Sequence, residues 1–404
     1  MQALFKYSSL TVKDKYLFSI LILALIARLA FMWAYPDQNF PDARAYNFIG
    51  NEIMSGSIVT NNTYMPLYPI WVKLTGGGIY HIIMDIIISV ASVALIYFLC
   101  LAIFKNTASA LLSAFIASLY PHFIFYSVSG LSEVFYTFLL LLSFLSFYGK
   151  KYVIAIFILI LALLVKPSLD YLNPILIILF VSFVHKSGFK KTFKYLTIYC
   201  VMYVTLLSPW WFHQYEKYGE FVKFTLADGI VLYSGNNPLN TTGGGVGRIN
   251  GDSDMDLNQF NQINNPVRRN EAMKEAAFSY IATNPNQFIK LAGVKFKRFW
   301  RLWPYTEHYQ QWYVVMASLM SYGTVLFLAI GFVFRNGKQY FRKVSPIFSL
   351  ALYLTLIHMI TIGSIRYRFP IEPFLITFAS YFLADIFRNK LWLIKLNKYL
   401  ESTS

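Results

Sequence analysis

The sequence predicts an all-α polytopic membrane protein with about ten transmembrane helices. Three observations carry this. Of the 404 residues, 57% are hydrophobic and only 13% are charged, against about 25% charged in a soluble domain. Apolar runs recur along the whole chain, most of them near the roughly 20 residues a bilayer-spanning helix needs. The segments between them alternate between short basic loops and longer mixed ones.

The runs are 17–35, 80–104, 107–126, 131–148, 152–165, 171–184, 195–212, 312–334, 346–362 and 371–387. The fifth and sixth are short and flank Lys166-Pro167, so they read as a hairpin that either spans or re-enters. With the N-terminus in the cytoplasm, the inner segments hold Lys6, Lys13, Lys15, Lys105, Lys150, Lys151, Lys186, Lys190, Lys191 and Lys194, then Arg335, Lys338, Arg342, Lys343, Arg388, Lys390, Lys395 and Lys398. The short outer loops hold only Arg44, Lys73, Lys166, Arg366 and Arg368. Cytoplasmic loops collect Lys and Arg, so both termini are expected in the cytoplasm. The first run is too long for a cleavable leader, and no small-residue cleavage pattern follows it, so it should remain as an anchor. The net charge of +16 is spread over these clusters and forms no single patch, which argues against nucleic acid as a partner.

Two outer segments are long. Residues 36–79 follow the first run. Residues 213–311 are polar and mixed, and are expected to form a small extracytoplasmic α or α/β domain between an N-terminal membrane core (1–212) and C-terminal helices with a basic tail (312–404). The inner loops are explained by topology alone, so chemistry is expected on the outer face, in loops held by a rigid scaffold.

Several signals exclude function classes. Cys100 and Cys200 sit inside apolar runs and read as small apolar fillers. The histidines show no metal-binding spacing, and neither glycine triplet (76–78, 243–245) is followed by the Gly-Lys-Ser/Thr of a P-loop. Asp252, Asp254 and Asp256 alternate as in an EF-hand, but Leu257 and Ile263 stand where that loop needs glycine and glutamate. No cofactor is called for; a looser divalent-cation site there stays open.

The candidate residues follow from charge and place. Asp42, just after Pro41, reads either as the cap of a helix over 43–55 or as a general base at the membrane surface. Arg366 and Arg368 lie two apart; an extended chain would aim both one way, as a fork for phosphate. Snorkelling to lipid headgroups is the alternative. Lys166 reads as a phosphate ligand or as the partner of Asp170. Glu133 opens the fourth run, where an acid favours a helix N-terminus; its other reading is orientation of a sugar hydroxyl. Arg28, in the outer half of the first run, needs a partner, which is either a structural one or a ligand. Tyr64, Tyr68, Trp71, Trp210 and Trp211 read mostly as interfacial belt aromatics.

Taken together, PDARAYNFIGNEIMSG, YMPLYPIW, YPHFIFYSVSGLSEVFYTFL, VKPS, YSGNNP, KFKRFW and RYRFPIEPF, in this order and placement, resemble the bacterial membrane glycosyltransferases of the GT-C fold. The branch they look like is that of the protein O-mannosyltransferases and lipid A aminoarabinose transferases. The resemblance covers nearly the whole chain. It implies a GT-C-like transferase in the cytoplasmic membrane with its active site on the outer face. The donor would be a polyprenyl-phosphate sugar and the acceptor a glycan, lipid or protein. It further implies Asp42 as the catalytic acid, with Tyr46 and the segment from Tyr64 lining the same cavity. Outer cations, among them Arg44, Lys166, Arg366 and Arg368, would hold the donor phosphate, and Asn236 and Asn237 match a Gly-Asn-Asn-Pro loop. Two departures stand out. Ala43 occupies the place of a second acid found in many relatives, which weakens a metal at this point. Tyr64-Met65-Pro66-Leu67 stands where some lipid A enzymes place a lysine before paired prolines; either Arg44, Lys73 or Lys166 takes that role or the donor differs. A flippase of lipid-linked sugars and a non-catalytic envelope scaffold remain the rival classes.

Overall fold

The computed structural model describes residues 12–35, 40–59, 62–245, 256–306 and 309–387. Lys6, Arg388, Lys390, Lys395, Lys398, Asp252 and Asp254 therefore lie outside the described residues. Every apolar run is helical, and no strand occurs among the described residues. The apolar helices begin with α1 (Val12–Ala34), α4 (Gly78–Phe104), α5 (Thr107–Ser118), α6 (Pro121–Ser127), α7 (Glu133–Tyr148) and α8 (Tyr152–Val165). It continues with α9 (Leu172–Ile178, prolonged by a π turn to Val184), α10 (Phe189–Tyr218), α15 (Trp312–Ser318), α16 (Thr324–Ile360) and α18 (Glu372–Ile386). Between α1 and α4 lie α2 (Pro41–Met54) and α3 (Leu67–Leu74). Between α10 and α15 lie α11 (Asp228–Gly235), α12 (Asn258–Asn261), α13 (Pro266–Thr283) and α14 (Pro285–Phe299); α17 (Ile365–Arg368) is a single turn.

Five helical stretches are long and apolar enough to cross a membrane, and the α5–α6 pair, bent by 53°, makes a sixth; α7, α8 and α9 with its π turn are apolar but shorter. The two C-terminal runs expected at 312–334 and 346–362 form one unbroken helical stretch, Trp312–Ile360. It is nevertheless a hairpin. Phe332 and Phe348 both pack on Phe378, at ring distances of 4.6 and 5.8 Å, whereas sixteen residues of straight helix would separate them by about 24 Å. The reversal falls in the basic stretch Arg335–Lys343, where the sequence places a loop.

Local chemistry sets the ends of these helices. Asn106 caps α5 by accepting from the Ser109 amide at 2.8 Å, and Asn265 caps α13 through the amides of Val267 and Arg268. Proline opens α2, α6, α13 and α14, where its missing N–H costs nothing. Gly219, at φ +67°, ends α10.

One large apolar core joins α4, α5, α7, α8, α16 and α18. Arg28, 0% exposed, finds no carboxylate in it. Its guanidinium donates to Ser89 Oγ at 2.8 Å and to the carbonyls of Ala24 and Ser118 at 2.9 and 3.0 Å. It ties α1 to α4 and to the end of α5, which is a structural pairing. In residues 213–311 the described part is helical, with a small core of Leu232, Tyr233, Phe260, Met273 and Ala277. This segment is not detached, because Phe299 of α14 belongs to the large core. The first outer segment is anchored too: Asn62 and Gln214 exchange amide hydrogen bonds at 2.5 and 2.6 Å.

Candidate functional site

Four distant segments deliver one ionic cluster. Pro41 starts α2, and the residue before it, Phe40, provides no side-chain cap. Asp42 therefore lies in the first turn and is not the cap the sequence suggested. Its carboxylate turns outward: Oδ1 accepts from Tyr64 Oη at 2.8 Å and Oδ2 from Arg366 Nη1 at 2.7 Å. Glu133, in the first turn of α7, accepts from Arg366 through Nε and Nη2, and from Lys166 Nζ at 2.5 Å. Lys166 is placed by Pro167, since a residue before proline avoids the helical region. It leaves α8 extended, at φ −145° and ψ 122°. Its partner is Glu133 and not Asp170, which takes Lys223 at 2.5 Å and Tyr203 at 2.8 Å.

Exposure ranks the four groups. Asp42, Arg366 and Lys166 are 25%, 28% and 24% exposed, while Glu133 is 1% exposed. Asp42 and the two cations are therefore the groups within reach from outside, and Glu133 lies beneath them. The sugar-orienting role expected of Glu133 gives way to a supporting one: both cations share its Oε1 and so are held side by side. Tyr64 backs Asp42; burial and the adjacent carboxylate push its phenol well above its ordinary pKa, which keeps the proton on the donating oxygen. Tyr46 stands behind it, 3% exposed. Its hydroxyl is 3.1 Å from Ser132 Oγ, and its ring packs edge-on against Tyr64 and Tyr68 at 4.7 and 4.8 Å.

The structure separates other candidates from this cluster. Arg368 was expected beside Arg366, on an extended chain. The segment is instead a helical turn, in which two residues are about 200° apart, so the two guanidiniums diverge. Arg368, 0% exposed, donates to Glu372 Oε1 at 2.9 Å and to the carbonyls of Phe299 and Arg301 at 2.9 and 2.7 Å, and its guanidinium lies 3.5 Å from the Tyr322 ring centroid. Arg44 lies on the exposed side of α2; of the three substitutes suggested for the missing lysine, Lys166 is the one in the cluster. Asn236 and Asn237 are buried at the end of α11 and bond to the backbone of Leu232, Tyr233, Ser234 and Ile360.

Two groups were missed. Asp85 is fully buried in α4 and accepts from Tyr68 Oη at 2.8 Å and Trp71 Nε1 at 3.2 Å, with His81 Nε2 at 3.3 Å. Tyr68 and Trp71 are thus held by this acid rather than being simple belt aromatics. The signal was a His and an Asp four apart inside an apolar run, where an ionisable group needs a reason. The other is Lys295 of α14, 0% exposed, in a stretch whose amphipathic pattern did not mark it. Burial lowers its pKa from the ordinary 10.5 to about 7. The unfolded chain then binds the extra proton between about pH 7 and the ordinary lysine range, so stability should rise with pH across that window. Thermal midpoints from pH 6.5 to 10 should show the slope, and Lys295→Met should flatten it.

Among the described residues no three His, Cys, Asp or Glu side chains gather as a metal site. Between Asp42 and Glu133 the positive charge is the Arg366 guanidinium. Asp256 accepts from the Asn258 amide at 2.9 Å.

The helical scaffold has the fold of a solved oligosaccharyltransferase. The chain matches three solved structures of the Archaeoglobus fulgidus oligosaccharyltransferase. The apo form gives a TM-score of 0.56 at 11% identity, over 94% of this chain and 51% of that one. The complex with Zn and sulfate gives 0.57 at 11%, over 96% and 51%. The form tethered by a disulfide bond to an acceptor peptide containing the NVT sequon gives 0.56 at 12%, over 96% and 53%. What is shared at this identity is the fold, and the chain spans about half the length of these structures. No protein-family model and no curated protein sequence matches the chain.

Proposed function

We propose that this chain is a membrane glycosyltransferase that moves a sugar from a polyprenyl-phosphate donor to a glycan, lipid or protein acceptor at the outer face of the cytoplasmic membrane. Both termini then face the cytoplasm, and the ten apolar helices serve as spans. The observation that carries this is the cluster itself: a reachable carboxylate, Asp42, bridged by Arg366 to a second cation, Lys166, over one buried acid. The pairing suits the donor's chemistry. Its leaving group is a phosphomonoester on a lipid, so it needs no nucleotide at the outer face.

In this reading the donor phosphate engages Arg366 and Lys166. Arg366 then exchanges its bond to Asp42 for one to phosphate, and Asp42 keeps only the hydrogen bond from Tyr64. Its Oδ2 is then free to face the acceptor. Asp42 takes the proton of the acceptor hydroxyl or amine, and the acceptor attacks the anomeric carbon. The bond from that carbon to the phosphate oxygen breaks, and the charge that develops on this oxygen meets two preorganised cations. A single in-line displacement inverts the anomeric centre. No step requires Arg368.

The test uses the purified protein in proteoliposomes with a radiolabelled pool of polyprenyl-phosphate sugars and membrane extract as acceptor. Label should leave the donor lipid, and the product anomer should be opposite to the donor's. Label that stays on the donor but crosses the bilayer would favour a flippase. A second expectation concerns support of the cations: Glu133→Gln should raise the donor KM by about tenfold or more, as expected when a charge-assisted pairing worth roughly 1.5–3 kcal/mol is lost. An unchanged KM would show that Arg366 and Lys166 stay in place without it.

A further inference from the structure

The buried residues around Asn236 bear on the site from a distance. Asn236 Nδ2 donates to the Ile360 carbonyl at 2.9 Å, and Lys295 Nζ donates to the same carbonyl and to Asn236 Oδ1, both at 3.0 Å. Three residues on, the Gly363 amide donates to the Gly243 carbonyl at 3.0 Å, and Arg298 Nε donates to the Gly363 carbonyl at 2.9 Å. Backbone meets backbone here without room for a side chain. A Cβ on Gly235 would lie 1.9 Å from the Thr361 carbonyl oxygen, and one on Gly363 would lie 2.5 Å from that of Lys295. The strap 360–364 is therefore clamped between the Asn-rich loop and α14.

The strap ends in Ser364, whose Oγ caps the Arg366 amide at 3.3 Å. The turn that follows, Ile365–Arg368, is four residues long. So short a helix does not hold its own direction, because nucleation is unfavourable and tertiary contacts must fix it. The clamp meets that need from one side and the buried Arg368 from the other. We propose that Lys295, through Asn236 and the strap 360–364, is a positioning residue for Arg366, and that the outer loop 235–245 serves to aim that guanidinium. This rests on the transferase reading given above and assigns the buried Asn236, which the site itself left without a part. Lys295 touches no reacting group; its effect reaches Arg366 only through the strap.

Two measurements on the full chain in nanodiscs separate this inference from the reading beneath it. The first is hydrogen exchange. Lys295→Met, which keeps most of the length of the side chain and removes the Nζ donor, should speed exchange across 361–368 and leave α18 unchanged. The second is transfer kinetics. Lys295→Met should lower kcat by about tenfold or more, as a misplaced group far from the chemistry does, and should raise the donor KM as well, because Arg366 also holds the donor phosphate. In an Arg366→Lys background the same substitution should cost much less, because groups acting through one another are not additive. Lys290→Met, exposed on the same helix, should match wild type in both. Should Lys295→Met not fold, Asn236→Ser removes one arm of the clamp, and the same directions are expected. Faster exchange with wild-type kcat, or a loss that adds fully to that of Arg366→Lys, overturns the positioning role. Unchanged exchange overturns the clamp. A wild-type protein that transfers no sugar overturns the transferase reading, and the exchange result still decides the clamp.

Discussion

Asp42→Asn should lower the rate of sugar transfer by about 10²- to 10⁴-fold, the contribution of a positioned general base. The amide has nearly the shape of the acid. It still accepts from Tyr64, whose hydroxyl lies 2.8 Å from Oδ1, and it lies in the first turn of α2 without capping it. What it lacks is a lone pair basic enough to take a proton and a charge to hold Arg366. Single-turnover transfer of labelled sugar, with protein abundance and thermal midpoint matched to wild type, measures the loss directly. The pair to Arg366 is partly exposed on both sides, so its removal should cost little stability. Transfer at the wild-type rate would reduce Asp42 to an ordinary acid at a helix N-terminus.

Arg368→Met should have the opposite profile: a large loss of stability and little loss of chemistry per folded molecule. Arg368 and Glu372 are both 0% exposed, and their contact is 2.9 Å. Removing the arginine leaves Glu372 without its guanidinium partner, with His122 at 2.9 Å, and frees the carbonyls of Phe299 and Arg301. Breaking one side of a buried ion pair costs about 3–5 kcal/mol. The loss should appear as a drop of several degrees in the thermal midpoint in detergent, and transfer normalised to folded protein should stay within a few-fold of wild type. A variant that keeps its midpoint but fails to transfer would return Arg368 to the phosphate-binding role that the sequence suggested.

These two arginines show how far the sequence was legible. Both were singled out because outer cations run against the topological bias, and that reasoning is local and sound. Their separation depends on whether 365–368 is extended or helical, and four residues carry too little periodicity to decide it. Lys166 was better determined. Proline after it disfavours the helical conformation, and Lys166 leaves α8 extended, although its partner could not be read. Glu133 was legible as the acid at the start of an apolar helix; its depth was not, because depth depends on what packs over it. Asp85 was missed because the apolar average of its run hides two ionisable residues, and Lys295 because it is one of several basic residues of α14 and only packing buries it.

What the sequence by itself determined is where the helices lie. Apolar length, prolines, caps and the distribution of Lys and Arg act over a few residues, and each can be read in place. Tertiary structure alone decided which charges meet. Asp42, Glu133, Lys166 and Arg366 come from segments up to 324 residues apart, and charge pairing over such separations is set by how helices pack and where a strap is clamped. The same packing sent Arg368 inward and left Arg44 at the surface, since a buried cation persists only where carbonyls and a carboxylate replace its water.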